Sequence, residues 1–441
     1  MLDPSQRETP ASWDRRKIKF HLSGFFGGGT PSKDNLDYWT DGTVPWVTPK
    51  DMKRRMIDTA EDLITVNAVK NSATNMVPPS SVLMVVRSGI LKHSLPVALN
   101  TVPVALNQDM KAFRFRRSLL PAFFAYWIEG QQKQKLLEWC QIGATVDNIN
   151  VDAMLNGQIA VPDLATQRQI ADFLDRETAR IDLLIEKKQR LVALLGEKTA
   201  ETIRQCVTWG MVSSVSKKPS RVPAADDLAE HWTEQRLSTI CRFVQGKAHE
   251  PFIEDDGEYI CVTARFVSTN GEKFRRCTKN LTPGKVNDIA MVMSDLPNGR
   301  ALARAFLVDQ DNVYAINQRV CAITVMQGDP RFFYYQLDRN FQLLRYNDGF
   351  NQTHLPNRAF TQLFLKVPPV EEQTRIADYL DAVMQNTTAL TEKSNASIDR
   401  LKEYRSALIT AAVTGQIDVA TYAKSGTSDR HLDAIQEEMG A

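Results

Sequence analysis

The polarity pattern along the chain shows two textures, and each occurs twice. From Val161 onward the apolar residues Ile170, Phe173, Leu174, Ile181, Leu184, Leu191 and Leu195 fall at three- and four-residue steps, the period of a helix with one buried stripe. A later stretch repeats the pattern with Ile376, Tyr379, Leu380, Val383, Leu390, Ile398, Leu401 and Leu408. Beyond Ile181 the spacing approaches seven, which predicts a coiled coil. About 43 helical residues at a rise of ~1.5 Å would extend roughly 65 Å, and so narrow a stripe on so long a rod needs a partner helix. Thr166 with Gln169 reads as a capping box at the first helix start, whereas Glu371 and Glu372 place acid in the first turn of the second. The other texture fills residues 1–160 and 229–366. Short β-like runs such as Val82–Val86 and Ile289–Met293 sit there among turn signals, including Gly27-Gly28-Gly29-Thr30-Pro31 and Pro297-Asn298-Gly299.

The two helical stretches are copies. Val161 returns as Val367, Gln167 as Gln373, Asp175 as Asp381 and Glu186-Lys187 as Glu392-Lys393, all at one constant offset. Roughly a third of the aligned positions are identical, too long a match for a solenoid repeat and seen only twice. The β-rich segments echo each other more faintly: Trp13 with Trp232, Val104–Gln108 with Tyr314–Gln318, and Phe123–Tyr126 with Phe332–Tyr335. Half of the protein is therefore duplicated, and two similar sites about a pseudo-twofold axis suit a partner with a dyad of its own, such as DNA. The expected order is a globular domain over residues 1–160, a helical region over 161–210, a polar linker over 211–228, a second domain over 229–366, a second helical region over 367–417, and a loose tail over 418–441. The fold class expected is α+β, with two long antiparallel helices joining two globular domains.

Composition narrows the picture. With 43% apolar and 24% charged residues, the 441-residue chain is ordinary globular material for about three average domains. No apolar run approaches the ~18 residues that span a bilayer. The polar N-terminal residues carry no secretory h-region, so a cytoplasmic location is expected. The six cysteines are scattered without a C-x-x-C pair, which fits a reducing compartment and disfavours structural zinc. A net charge of +2 is too small to carry a nucleic-acid argument, so local patches must.

Catalytic tools are missing. Gly196-Glu197-Lys198-Thr199 matches the end of a phosphate loop but lacks the upstream glycine and lies mid-helix. The glycines at 24 and 27–29 have no strand–loop–helix context, and a turn is the simpler reading. Asn75-Met76-Val77-Pro78-Pro79 lacks the spacing and aromatic residue of an amino-methyltransferase motif, and the six histidines form no metal-binding pair. The chain is read as non-catalytic, with no cofactor of its own.

The duplicated Pro-x-x-x-x-Gln-x-x-Ile-Ala-x-Phe/Tyr-Leu-Asp, followed by a long helix ending near Val-Thr-x-Gly, resembles the specificity subunit of Type I restriction–modification systems. Trp13, Gly28-Gly29-Thr30-Pro31, Pro45-Trp46-Val47 and Ala-x-Asn-Gln before a strand are similar to that family's target recognition domains. The second domain departs from the pattern, with Gly246-Lys247-Ala248-His249 in place of Gly-Thr-Pro and Tyr259-Ile260-Cys261 in place of Pro-Trp-Val. The resemblance implies two domains that each read half of a bipartite DNA target. It implies helices that set the spacer and dock two methyltransferase subunits using S-adenosylmethionine, and motor-nuclease subunits that use ATP and Mg. A stand-alone restriction or methylation enzyme, or a coiled-coil scaffold without sequence-specific DNA binding, remains the alternative.

DNA contact needs cations for phosphates and polar side chains for base edges. The candidates in the first domain are Lys50, Lys53, Arg54, Arg55, Arg87 and Lys92. Those in the second are Lys247, His249, Arg265, Arg275, Arg276, Arg300, Arg304, Asn351 and Thr353. Asn107-Gln108 and Asn317-Gln318 fit either base reading or a buried structural hydrogen bond. On the helices, Arg168, Arg180, Lys187, Lys188 and Arg190 read as a solvated face open to a partner or to phosphate, and the leucines read as packing residues.

Overall fold

The computed structural model describes residues 9–143, 146–212, 214–295, 300–347 and 353–437. It divides into two compact units, residues 1–190 with 393–441, and residues 191–392. The first unit is thus discontinuous in sequence, completed by the end of the second long helix and the tail.

In the first unit a five-stranded sheet runs in the order Leu22–Gly27, Met110–Phe115, Val82–Val85, Val97–Asn100, Met56–Ile57. Its central strand, Val82–Val85, is buried at every position, as a continuous apolar run requires. The helix Pro121–Trp139 starts with proline at its first turn and buries Phe123, Phe124, Tyr126 and Trp127. A smaller sheet contains Val44–Val47 and Val104–Leu106. The second unit repeats the plan. Cys241–Gln245, Val320–Val325, Ile289–Val292 and Ala305–Leu307 form one sheet, Arg275–Cys277, Tyr259–Val262 and Tyr314–Ile316 another, and the helix Pro330–Leu337 buries Phe332 and Phe333.

The long helices span Leu164–Trp209, 46 residues, and Val370–Val413, 44 residues. Asp182 faces Arg405 at 2.9 Å in the first unit and Thr199 faces Thr387 at 2.9 Å in the second, so the pair is antiparallel. The first helix is not capped as expected. Asp163, not Thr166, takes the cap: its carboxylate accepts from the Ala165 and Thr166 N–H groups at 2.9 and 3.0 Å and from the Thr166 hydroxyl at 2.8 Å. Those bonds hold the Asp163 carboxyl below its ordinary range. Aspartate competes as well as threonine for exposed helix N–H groups, and here it stands one turn earlier.

The repeated glutamine acquires a physical meaning. Gln167, fully buried, accepts from the Leu120 N–H at 2.8 Å and donates to the Pro162 carbonyl at 2.8 Å and the Ser118 carbonyl at 3.1 Å. Gln373 does the same work, accepting from Asp329 N–H at 2.9 Å and donating to the Pro368 carbonyl at 2.8 Å. Each amide thus ties the start of a long helix to the start of its domain's own helix. Each repeated aspartate adds a second tie. The Tyr126 hydroxyl donates to Asp175 and the Tyr335 hydroxyl to Asp381, both at 2.6 Å.

Two expectations about the helices and tail are corrected. Along the helices the expected Ile181, Ile398 and Leu401 are buried, but Lys188, Ser394 and Ser397 in the first unit and Thr199 in the second are buried beside them. Leu191, Tyr379 and Leu390 instead face solvent, as do Leu183 and Leu194. Heptad spacing alone could not tell which of two adjacent stripes meets the partner. Lys188 is correspondingly not on a solvated face, and burial lowers its pKa. The tail expected to be loose forms two helices, Val419–Lys424 and Thr427–Glu437, which pack in the first unit. Leu432 is fully buried, Tyr422 stacks edge-on against Phe173, and Asp429 pairs with Arg180.

Candidate nucleic-acid interface

A parallel strand pair organises the surface of interest in each unit. Val44–Val47 runs beside Val104–Leu106, with Trp46 opposite Ala105 and Val47 opposite Leu106. Tyr259–Val262 runs beside Tyr314–Ile316, with Cys261 opposite Ala315 and Val262 opposite Ile316. The ladder therefore equates Pro45-Trp46-Val47 with Ile260-Cys261-Val262, one residue beyond the match expected from sequence. The side chains there share too little for sequence to fix the register, and the backbone ladder decides it.

Each first strand ends in a threonine that opens a short helical turn, Thr48 in a capping box with Asp51 and Thr263 accepting from the Phe266 N–H. Two residues on stands an exposed cation, Lys50 or Arg265. Lys50 lies 3.1 Å from Asp62 and 3.3 Å from Glu61, and the hydrogen bond to Asp62 is the chief cause that raises its pKa.

Each second strand ends in Asn-Gln. The asparagine is buried in both units, and its backbone N–H donates to the carbonyl of Val47 or Val262. Asn107 Oδ1 accepts from the Asp109 N–H at 3.1 Å, and Asn317 Oδ1 from the Gln318 N–H at 2.7 Å. A glycine lies against each: a Cβ on Gly28 would fall 1.7 Å from the Asn107 carbonyl oxygen, and one on Gly246 would fall 2.2 Å from that of Asn317. Backbone this close admits no side chain. With the asparagine held, the following glutamine is exposed in both units.

The remaining candidates divide into three groups. Exposed and clustered at these turns are Arg87 and Lys247. The Arg87 N–H donates to the Asp109 carbonyl, and Arg87, Pro49, Gly89 and Gln108 line a hollow of about 300 Å³. Lys247 bridges to Asn317. Exposed elsewhere are Lys53, Lys92, Arg275, Arg300 and Arg54, the last 3.4 Å from Asp58. A third group is engaged by neighbouring residues. Arg55 lies over the Tyr126 ring, 3.2 Å from its centroid, and pairs with Glu129 at 3.1 Å. Arg276 donates to the Gly257 carbonyl at 3.2 Å, and Arg304 pairs with Asp338 at 3.1 Å. Asn351 lies outside the described residues. Thr353 is described only in its backbone, in the strand Thr353–His354 opposite Ser294–Asp295.

His249 is placed where its chemistry is structural. It is fully buried at the position equivalent to buried Pro31. Its Nδ1 donates to the Lys247 carbonyl at 2.8 Å and its Nε2 accepts from the Leu281 N–H at 3.0 Å, which specifies one neutral tautomer. Burial lowers its pKa below the ordinary value. Sequence reasoning passed over Arg319, exposed beside Gln318, whose only signal is its place after the Asn-Gln pair. Among the described residues, no group of His, Cys, Asp or Glu is arranged to hold a metal ion, and no helix is long and apolar enough to cross a membrane.

Fold and surface together define a class: a duplicated α+β protein that carries two equivalent polar turns on rigid strand pairs, with long antiparallel helices between its repeats. The chain belongs to the Type I restriction modification DNA specificity domain family, which matches residues 13–193 and 229–400. It is 35% identical to the Type I restriction enzyme EcoR124I/EcoR124II specificity subunit of Escherichia coli over 190 residues, 43% of this chain and 46% of that one. It is 28% identical to the Type I restriction enzyme MjaIX specificity subunit of Methanocaldococcus jannaschii over 243 residues, 54% of this chain and 53% of that one. The chain thus spans about half the length of the curated relatives it matches. A structure solved in a study of complex assembly and conformational transition of the type I R-M system shares the fold, with a TM-score of 0.66, 16% identity, and coverage of 93% of this chain and 100% of that one.

Proposed function

We propose that this chain is the non-catalytic specificity subunit of a Type I restriction–modification complex, with each domain reading one half of a bipartite duplex target. The observation that carries the reading is the rebuilt turn: buried asparagine, exposed glutamine, close glycine and exposed cation recur on the same frame while surrounding side chains differ. Two readers of one design and unlike decoration fit an asymmetric, two-part sequence. Lys50 and Arg87 in one domain and Lys247 and Arg265 in the other supply phosphate contacts at those turns, and Lys53, Arg54, Lys92, Arg275 and Arg300 supply further contacts from elsewhere on the domains. The long helices set the spacer between half-sites, and their exposed leucines dock two methyltransferase subunits that use S-adenosylmethionine to methylate adenine. Motor-nuclease subunits supply ATP- and Mg-dependent cleavage.

Selection from a randomised duplex library by the purified chain with its methyltransferase partner tests the reading. The expected product is a gapped, two-part motif, preferred over random duplex by about a thousandfold or more and weakening steeply with salt. Salt-dependent binding with no enriched motif would reduce the chain to a scaffold with a basic surface.

A further inference from the structure

We infer that Gln108 and Gln318 are equivalent base-reading residues, one for each half-site, and that Gln108 is pre-oriented to donate to a purine. The inference rests on the DNA-reading function proposed above and names residues outside its phosphate-contacting cations. In both units the asparagine before the glutamine is consumed by the fold, through backbone and side-chain bonds and through the glycine packed on its carbonyl. The glutamine next to it is left exposed on a turn where a glycine packs directly against the asparagine carbonyl. A polar side chain held at a defined point, with little backbone freedom, is what base discrimination requires.

The two glutamines differ in one respect that has chemical consequences. The Thr30 hydroxyl donates to Gln108 Oε1. That bond engages one lone pair of the amide carbonyl and leaves the Nε2 hydrogens and the second lone pair for a partner. The Nε2 donor matches purine N7 in the major groove, and the free lone pair completes the bidentate pattern with adenine N6. Ala248 stands in the second unit where Thr30 stands in the first, and no side-chain hydrogen bond orients Gln318 among the described residues. Gln318 therefore reads its base from a freely rotating amide. The neighbours differ in sign as well: Asp109 follows Gln108, whereas Arg319 follows Gln318. Arg319 adds a phosphate anchor beside the second turn, which the first, with Asp109 at that position, lacks.

The test repeats the library selection with Gln108→Ala, Gln318→Ala, Gln108→Glu and Thr30→Ala, each checked for an unchanged melting temperature. Gln108→Ala is expected to relax one position in one half-site by roughly 10- to 100-fold, leaving the other half untouched, and Gln318→Ala the reverse. Gln108→Glu, an acceptor only, is expected to move that position from purine toward cytosine, a change that a structural role cannot produce. Thr30→Ala is expected to blur the same position without moving it. A wild-type motif that both alanine variants reproduce at every position overturns the inference and leaves the proposed function standing. A wild-type protein that selects no motif removes both.

Discussion

At the scale of single residues, the repeated motif is best explained by its buried polar atoms. Gln167 and Gln373 hold together two helix starts that would otherwise leave N–H groups and carbonyls unpaired in an apolar setting. Truncating either amide strands those partners, and a stranded buried group costs about 1–3 kcal/mol. Gln167→Ala and Gln373→Ala should each lower unfolding free energy by roughly 2 kcal/mol in a denaturant titration. Changes near zero for both would mean the motif is kept for something other than the fold. His249 carries a pH prediction. Its pKa is lowered in the folded state by burial, so the unfolded chain binds the proton more readily. Stability from this residue is therefore whole above its ordinary value of 6.5 and is lost as pH falls below it. An NMR titration should place the His249 ring below 6.5, and titration at or above that value would contradict the buried, neutral imidazole.

At the scale of elements, the helices and their copies were legible because period and repetition survive in sequence. Both long helices and their duplicated openings could be read from Ile170, Leu174, Ile376 and Leu380, all buried as the stripe requires. What could not be read was which stripe meets the partner helix. Thr199 meets Thr387 of the other helix, Lys188 and Ser394 are buried beside Ile181, Ile398 and Leu401, and Ser397 donates to the Ile435 carbonyl of the tail, although a polarity pattern assigns all four polar residues to solvent. The Ser394 hydroxyl is buried without a hydrogen-bond partner. Ser394→Ala removes an unsatisfied group at almost constant volume and should raise stability by about 1 kcal/mol, read as a higher melting temperature. A loss of stability would show that this hydroxyl has a partner. The tail was misread for a similar reason. Its burial depends on Leu432 and Tyr422 meeting residues far away in the chain, which no local pattern reveals. The candidate cations were legible only as a set. Lys50, Arg87 and Lys247 sit at the polar turns, whereas Arg55, Arg304 and His249 are held by partners distant in sequence.

At the scale of the whole molecule, duplication is the property on which the proposed function rests. Under the proposed function, two copies of one recognition frame joined by continuous helices would recognise two short sequences at a set separation. Half-sites about one helical turn apart would present the same side of the duplex to both readers. Helix length should then govern the spacer and the domains the half-sites, each independently of the other. The most direct test is a genome-wide adenine-methylation map of cells that carry this chain with its methyltransferase partner, set against cells that lack only this chain. The account predicts a gapped, two-part motif that is methylated in the first and unmethylated in the second. A methylated motif that persists without the chain would contradict it.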